Sequence, residues 1–345
     1  MTIIMVVAGS LCLLLAAASY VIVLPIQPLR TPPPAPSAGE LECGARLREH
    51  VEQIASRPHN LAHYRELEAA AGYIERILLS FGVIPRLQEY EVEGRPVRNI
   101  EVVLPAVSQQ PANSAARSPA VTLVVGAHYD SADDSPGAND NGTGVAALLE
   151  IARNLTTEGS GFQPSCEVRL VFFVNEEHPY GKTEAMGSLR HAHSLRQAGI
   201  TVLGMIALET LGYFSDEPKS QKYPPPFGLI YPTTGNFVAF VGLPGARRLV
   251  GRCVKAFRRT TAFPSIGGVA PGFIPGIDLS DHWAYDKCGY PALMVTDTAP
   301  FRNPHYHSRT DLPDTVNYAA LARITSGLSL MIREIASQTP PLAPT

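Results

Sequence analysis

The chain is 345 residues long, 45% apolar and 17% charged, a composition that supplies a sizeable core and excludes a disordered scaffold. Twenty-eight Lys and Arg against 31 Asp and Glu leave a net charge of -3, too little basic excess for a protein that neutralises phosphates, so no nucleic acid partner is expected. Five cysteines without a CxxC pair fit neither a zinc ribbon nor a disulfide scaffold.

Ile3 to Leu24 carries no charge. At about 1.5 Å per helical residue, such a run spans roughly the 30 Å core of a bilayer. Residues 1–26 therefore read as a transmembrane anchor or a signal segment. The length favours the anchor, while Ala16, Ala17 and Ala18 offer small residues for a cleavage site. The expected location is membrane-anchored with an extracytoplasmic folded domain, or secreted if the segment is removed. Proline occupies six of the twelve positions from Pro25 to Pro36, which makes 27–40 a stiff, extended linker. The folded domain is expected over 41–338, with a short tail at 339–345.

Helical spacing of Leu67, Ala70, Tyr73, Ile74, Ile77, Leu78 and Phe81 predicts a first helix, closed by Gly82. Apolar and β-branched runs predict strands at Asn99–Leu104, Val121–Ala127, Glu167–Val174, Leu203–Leu208, Phe237–Val241 and Pro291–Thr296. Helical patterns at Thr143–Leu155, Thr183–Gln197, Ala246–Arg259 and Val316–Ile335 alternate with them. That order predicts an α/β fold, a three-layer α/β/α sandwich around a mixed, mostly parallel sheet. Residues 106–119 read as a surface excursion, and 215–227 as a lid or pocket wall. The helix near Ala246 sets Arg247, Arg248, Arg252, Lys255, Arg258 and Arg259 opposite Leu249, Val250, Cys253, Val254 and Phe257. A solvated outer face is the ordinary reading, and contact with anionic lipid is the sharper one.

Ligands of open α/β sheets gather at the carboxyl ends of strands. Four such ends carry acids or histidines: His128-Tyr129-Asp130 followed by Gly137-Ala138-Asn139-Asp140-Asn141-Gly142, then Asn175-Glu176-Glu177, then Glu209, then His305-Tyr306-His307. Singly, each is unremarkable. Converging at one end of one sheet, imidazoles and carboxylates make a nitrogen and oxygen ligand set suited to zinc. Asp140, Glu177 and Glu209 contribute three negative charges, which with one hydroxide balance two divalent ions rather than one.

In order and spacing, His128-Tyr129-Asp130-Ser131, Gly137 to Gly144, Asn175-Glu176-Glu177, Ser280-Asp281-His282 and Tyr306-His307 resemble the M28 zinc peptidases, a family that includes bacterial aminopeptidases. The resemblance covers roughly residues 41–338. It implies two Zn2+ ions, with His128 on one, Glu177 and His307 on the other, Asp140 bridging both, and Glu176 as general base. Glu209 stands where an Asp ligand is usual. Asp130, two residues from His128 on an extended chain, is expected to accept the second ring N–H of that imidazole. The implied activity is that of a metal-dependent exopeptidase, an aminopeptidase acting on a peptide substrate, with the membrane met only through the amino-terminal segment. The alternatives are a glutaminyl cyclase-like acyltransferase acting on amino-terminal Gln and a non-catalytic anchored receptor of peptidase-like fold. Gly142-Thr143-Gly144-Val145-Ala146-Ala147 also fits the loose dinucleotide pattern, but it follows Asp140-Asn141 rather than a strand.

Overall fold

The computed structural model describes residues 22–24, 35–107, 121–157, 159–225 and 227–338. Its nine strands are β1 (Ile22–Leu24), β2 (Arg86–Val92), β3 (Arg95–Leu104), β4 (Val121–His128), β5 (Glu167–Phe173), β6 (Thr201–Glu209), β7 (Val238–Gly242), β8 (Ser265–Val269) and β9 (Ala292–Thr296). They form one sheet in the order β1-β8-β7-β9-β6-β4-β5-β3-β2. The central strands β5, β4, β6 and β9 run parallel, and antiparallel pairs flank them on both sides. The sheet is therefore the mixed one expected.

Alternation along the central strands divides the core between two faces, because successive side chains of a strand point to opposite sides. Val125, Leu170, Phe172, Ile206 and Leu208 pack beneath α1 (Ala38–Ile54), α2 (Tyr64–Ser80), α3 (Thr143–Thr156), α5 (Arg247–Thr260) and α7 (Tyr318–Ser337). Val124, Val171, Phe173, Met205 and Ala207 pack on the other face with α4 (Gly187–Gln197) and the short α6 (His282–Lys287). Over β7 and β8 that second face is covered by loops instead, where Phe237, Ala239 and Ile266 meet Tyr223 and Tyr231.

Several elements depart from expectation. The apolar run does not continue as helix to Leu24: Ile22–Leu24 is an edge strand, its register pairing Ile22 with Val269 and Leu24 with Gly267. The rest of the anchor or signal segment lies outside the described residues, as do most of the linker, most of 106–119 and the tail. No helix among the described residues is long and apolar enough to cross a membrane. Helix α1 starts at Ala38, inside the segment read as linker, because Ser37 and Glu40 form a reciprocal capping box. Its apolar stripe is masked in the sequence by its many charges. Strands β2 and β8 also go beyond the sequence pattern, β2 because of its alternating charges and β8 because of the two glycines at its centre.

Of the basic residues on α5, Arg258 donates to Ser265 Oγ and its carbonyl, and Arg259 pairs with Glu334. The four cysteines of the described residues are buried and unbridged.

Candidate metal centre

The parallel strands end together, and their carboxyl ends deliver the polar cluster. His128 is the last residue of β4 and pairs in register with Phe173 of β5, so the Glu176-Glu177 pair emerges beside it. Glu209 ends β6. Asp140 lies in a tight turn, Ala138–Gly142, held open by a carboxylate from elsewhere: Asp311 accepts the Asn139 N–H on Oδ1 at 3.0 Å and the Asp140 N–H on Oδ2 at 3.1 Å. Asn141 fastens the same turn to β6 by donating to the Leu208 carbonyl at 2.8 Å and accepting the N–H groups of Gly144 and Thr210. At Gly144 a Cβ would stand 2.3 Å from Asn141 Oδ1 and 2.5 Å from the Leu208 carbonyl, so a side chain has no room there. The glycine run thus serves close packing on the site, with no need for a dinucleotide.

His128 Nε2 lies 3.4 Å from Asp140 Oδ1 and 3.4 Å from Glu209 Oε2. His307 Nε2 lies 3.0 Å from Asp140 Oδ2 and 3.3 Å from Glu177 Oε1. Glu176 Oε2 stands slightly back, 3.9 Å from His128 Nε2. All six sequence-selected acids and imidazoles of the site come together. His305 does not, because its Nδ1 meets the Thr310 hydroxyl at 2.8 Å. His191 is a core residue between Tyr285 and Glu101.

The donor set fits divalent ions. Two ligand atoms each about 2.0–2.1 Å from a tetrahedral zinc lie about 3.3–3.4 Å apart, close to the separations seen here. His128 Nε2, Asp140 Oδ2 and Glu177 Oε1 are buried without an aligned hydrogen bond, which is costly unless a cation receives their lone pairs. His128 Nδ1 faces the Asp130 backbone carbonyl at 3.1 Å, an atom that can only accept. Nδ1 therefore carries the proton and Nε2 presents its lone pair to the cluster.

Crowding shows in the proton affinities. Burial and the adjacent Asp140 push Glu177 up to about 7. Burial also raises Glu176 well above the carboxylate range, with Glu177 and Glu209 adding to it against His128. Burial by itself would lower His307, but Asp140 and Glu177 lift it to about 10. Without added positive charge, the cluster can only hold protons in place of cations.

Asp130 corrects one expectation. Its carboxylate is 3.7 Å from His128 Nδ1 and instead accepts the backbone N–H groups of Glu176 at 3.0 Å and Glu177 at 3.1 Å. It orients the histidine through its carbonyl and the glutamates through its side chain. Asp311 and Ser280, whose Oγ donates to Glu209 Oε2 at 2.7 Å, had no assigned role in the sequence reading. Ser280 opens the Ser280-Asp281-His282 motif, but nothing in its spacing announces the glutamate it meets.

Beside the centre, an open apolar cavity runs from Glu209 and Tyr306 across β9, β7 and β8. The 215–227 segment does wall it, through Tyr223, Pro224 and Phe227, together with Tyr231 just beyond. Lys219 and Lys222 are exposed and absent from its lining, which holds no basic side chain.

The model of peptidase family M28 matches residues 110–332. The chain belongs to this family. It is 37% identical over 285 residues to the Escherichia coli protein YfbL, covering 80% of this chain and 82% of that one. It is 31% identical over 229 residues to LpqL of Mycobacterium tuberculosis, a probable lipoprotein aminopeptidase, covering 62% of this chain and 43% of that longer protein. Among solved structures, the LapA aminopeptidase of Legionella pneumophila shares the fold with a TM-score of 0.64 at 17% identity, over 88% of this chain and 75% of that one.

Proposed function

We infer that the protein is a zinc-dependent aminopeptidase with two ions per active centre. The observation that carries this reading is the sharing of Asp140 by two histidine sites, each completed by its own glutamate. His128 and Glu209 would hold one ion, His307 and Glu177 the other, and Asp140 would serve both. When bound, the ions would supply Lewis acidity for the scissile carbonyl and for water near neutral pH.

The chain's own residues do the remainder. Glu176, whose backbone N–H is fixed by the Asp130 carboxylate, takes the proton of the attacking water on its carboxylate and returns it to the departing amine. The apolar cavity next to Glu209 takes the first side chain of the substrate, and its lack of a basic group argues against a carboxylate-binding, carboxypeptidase role. A free amino terminus fits the carboxylate-rich end of that cavity.

Product analysis on a leucine-led pentapeptide tests this in three forms: free, amino-acetylated and carboxyl-amidated. Free leucine should be released from the first and third only. Release that survives acetylation but stops on amidation rejects the assignment, and so does loss of ammonia without cleavage from a glutamine-led peptide, the reaction of a cyclase.

A further inference from the structure

The mouth of the apolar cavity is itself apolar on the outside. Two loops form its lips. The first continues from the cavity-lining Tyr223 and Phe227 through Leu229 and Ile230 to Tyr231, and the second runs from Ala270 through Phe273 to Leu279. At these lips Leu229 is 89% exposed and Phe273 86%, values near those of free side chains, and Ile230 is 56% exposed. The sequence has no charged residue from Tyr223 to Ala246 or from Thr260 to Ile277, and the one charge on the second lip, Asp278, is paired with Lys182 at 2.7 Å, so the lips carry little of the charge that ordinarily solubilises a surface loop. Tyr223 and Tyr231 stack at 5.7 Å behind the first lip, amphipathic rings of the kind that settle at a water–lipid boundary.

The second observation is where the uncharged amino-terminal run joins the fold. Strand β1 is antiparallel to β8, with Ile22 opposite Val269, so its upstream end lies one residue from the start of the second lip at Ala270. The end of that uncharged run, Ile22–Leu24, thus adjoins the loop that carries the exposed Phe273 at the same edge of the sheet. Exposed apolar patches of this kind mark contact surfaces, and the occupant with chemistry common to both features is lipid.

We propose that the lips around Leu229, Ile230 and Phe273 rest in the interfacial layer of a bilayer, so that the site takes apolar or acylated peptides presented at a membrane surface. The choice of substrate rests on the aminopeptidase reading; the lipid contact does not.

The full chain in phosphatidylcholine vesicles provides the test. Trp283 is the one tryptophan, so Phe273→Trp and Leu229→Trp in a Trp283→Phe background report on the lips, with the exposed Leu79→Trp on α2 as the reference position. Side chains seated about 5–10 Å into the interface should lose about half of their emission to lipid brominated high on its acyl chains, and the Leu79→Trp reporter little. Equal quenching at lip and reference positions overturns the proposal. So does a lip reporter that responds to soluble peptide but not to brominated lipid, which would make the rim a peptide-binding surface.

A kinetic arm reads the substrate. Leu229→Ser with Phe273→Ser should leave hydrolysis of a short soluble peptide unchanged and raise KM about tenfold for the same peptide held in vesicles by a carboxyl-terminal palmitoyl group, as expected from the loss of two buried apolar side chains. Equal effects on both substrates refute the preference. A chain that hydrolyses neither refutes the aminopeptidase reading, and the quenching result alone then decides the lipid contact.

Discussion

Asp140 turns its two carboxylate oxygens toward different histidines, Oδ1 at 3.4 Å from His128 Nε2 and Oδ2 at 3.0 Å from His307 Nε2. A residue so placed belongs to two half-sites at once. Asp140→Ala should therefore reduce bound zinc from about two ions per chain to below one, whereas Glu209→Ala should remove about one, as expected for a two-ion centre. Elemental analysis of the purified variants measures this. Equal losses in both would count against a shared ligand.

Glu176 and Glu177 are adjacent but differently placed, the second within 3.3 Å of His307 Nε2 and the first set back from His128. Glu176→Gln should keep its zinc and lose on the order of 10² or more in kcat, the usual contribution of a general base. Glu177→Gln should lose zinc first and activity as a consequence. Parallel metal titrations and rates separate them, and comparable zinc loss in the two variants would refute the division of roles.

Ser280 acts through Glu209, to which it donates at 2.7 Å. Ser280→Ala should weaken zinc binding by about 10- to 100-fold, the range for groups that orient a ligand without touching the ion. Competition against a chelator reads the affinity directly. Activity restored in full by excess zinc would confirm a positioning role, and unaltered affinity would dismiss it.

Glu150 of α3 carries the pH prediction away from the active centre. Its side chain is fully buried, and Arg46 and Arg153 reach it at 2.9 Å and 2.8 Å. Burial alone would raise its proton affinity, but His50, Arg153 and Arg46 hold it well below the carboxylate range. Because the folded value lies below the unfolded one, the unfolded chain binds more protons between the two, and stability there rises with pH. The contribution is complete above about pH 4.3 and falls by about 1.4 kcal/mol per pH unit below it. Glu150→Gln should cost about 3 kcal/mol at pH 7, with the difference from wild type constant down to pH 5 and shrinking toward pH 3. Urea titrations across that range test the sign. A difference that widens on acidification would contradict it.

Much of the site was legible in the sequence because its residues come from places that pattern can find. His128 and Glu209 terminate apolar strands, Glu176 and Glu177 follow one closely, and parallel strands in register bring their carboxyl ends together. The alternation of strands and helices likewise implies the layered sheet. The choice of His307 over His305, two residues apart on the same loop, rested on the family resemblance at Tyr306-His307.

Only the tertiary structure decided what supports those side chains. Asp311 reaches the backbone of Asn139 and Asp140 across more than 170 positions of sequence, and Ser280 meets Glu209 across 71, contacts made by loop paths that no local periodicity encodes. Asp130 sat at the right spacing for the histidine, yet its carboxylate went to two backbone N–H groups delivered by a neighbouring strand. Strand β8, with glycines at its centre, has little β propensity of its own and exists because β7 pairs with it on one side and Ile22–Leu24 on the other. Local sequence determines which residues stand at a strand's end; which groups meet them there depends on how distant segments pack.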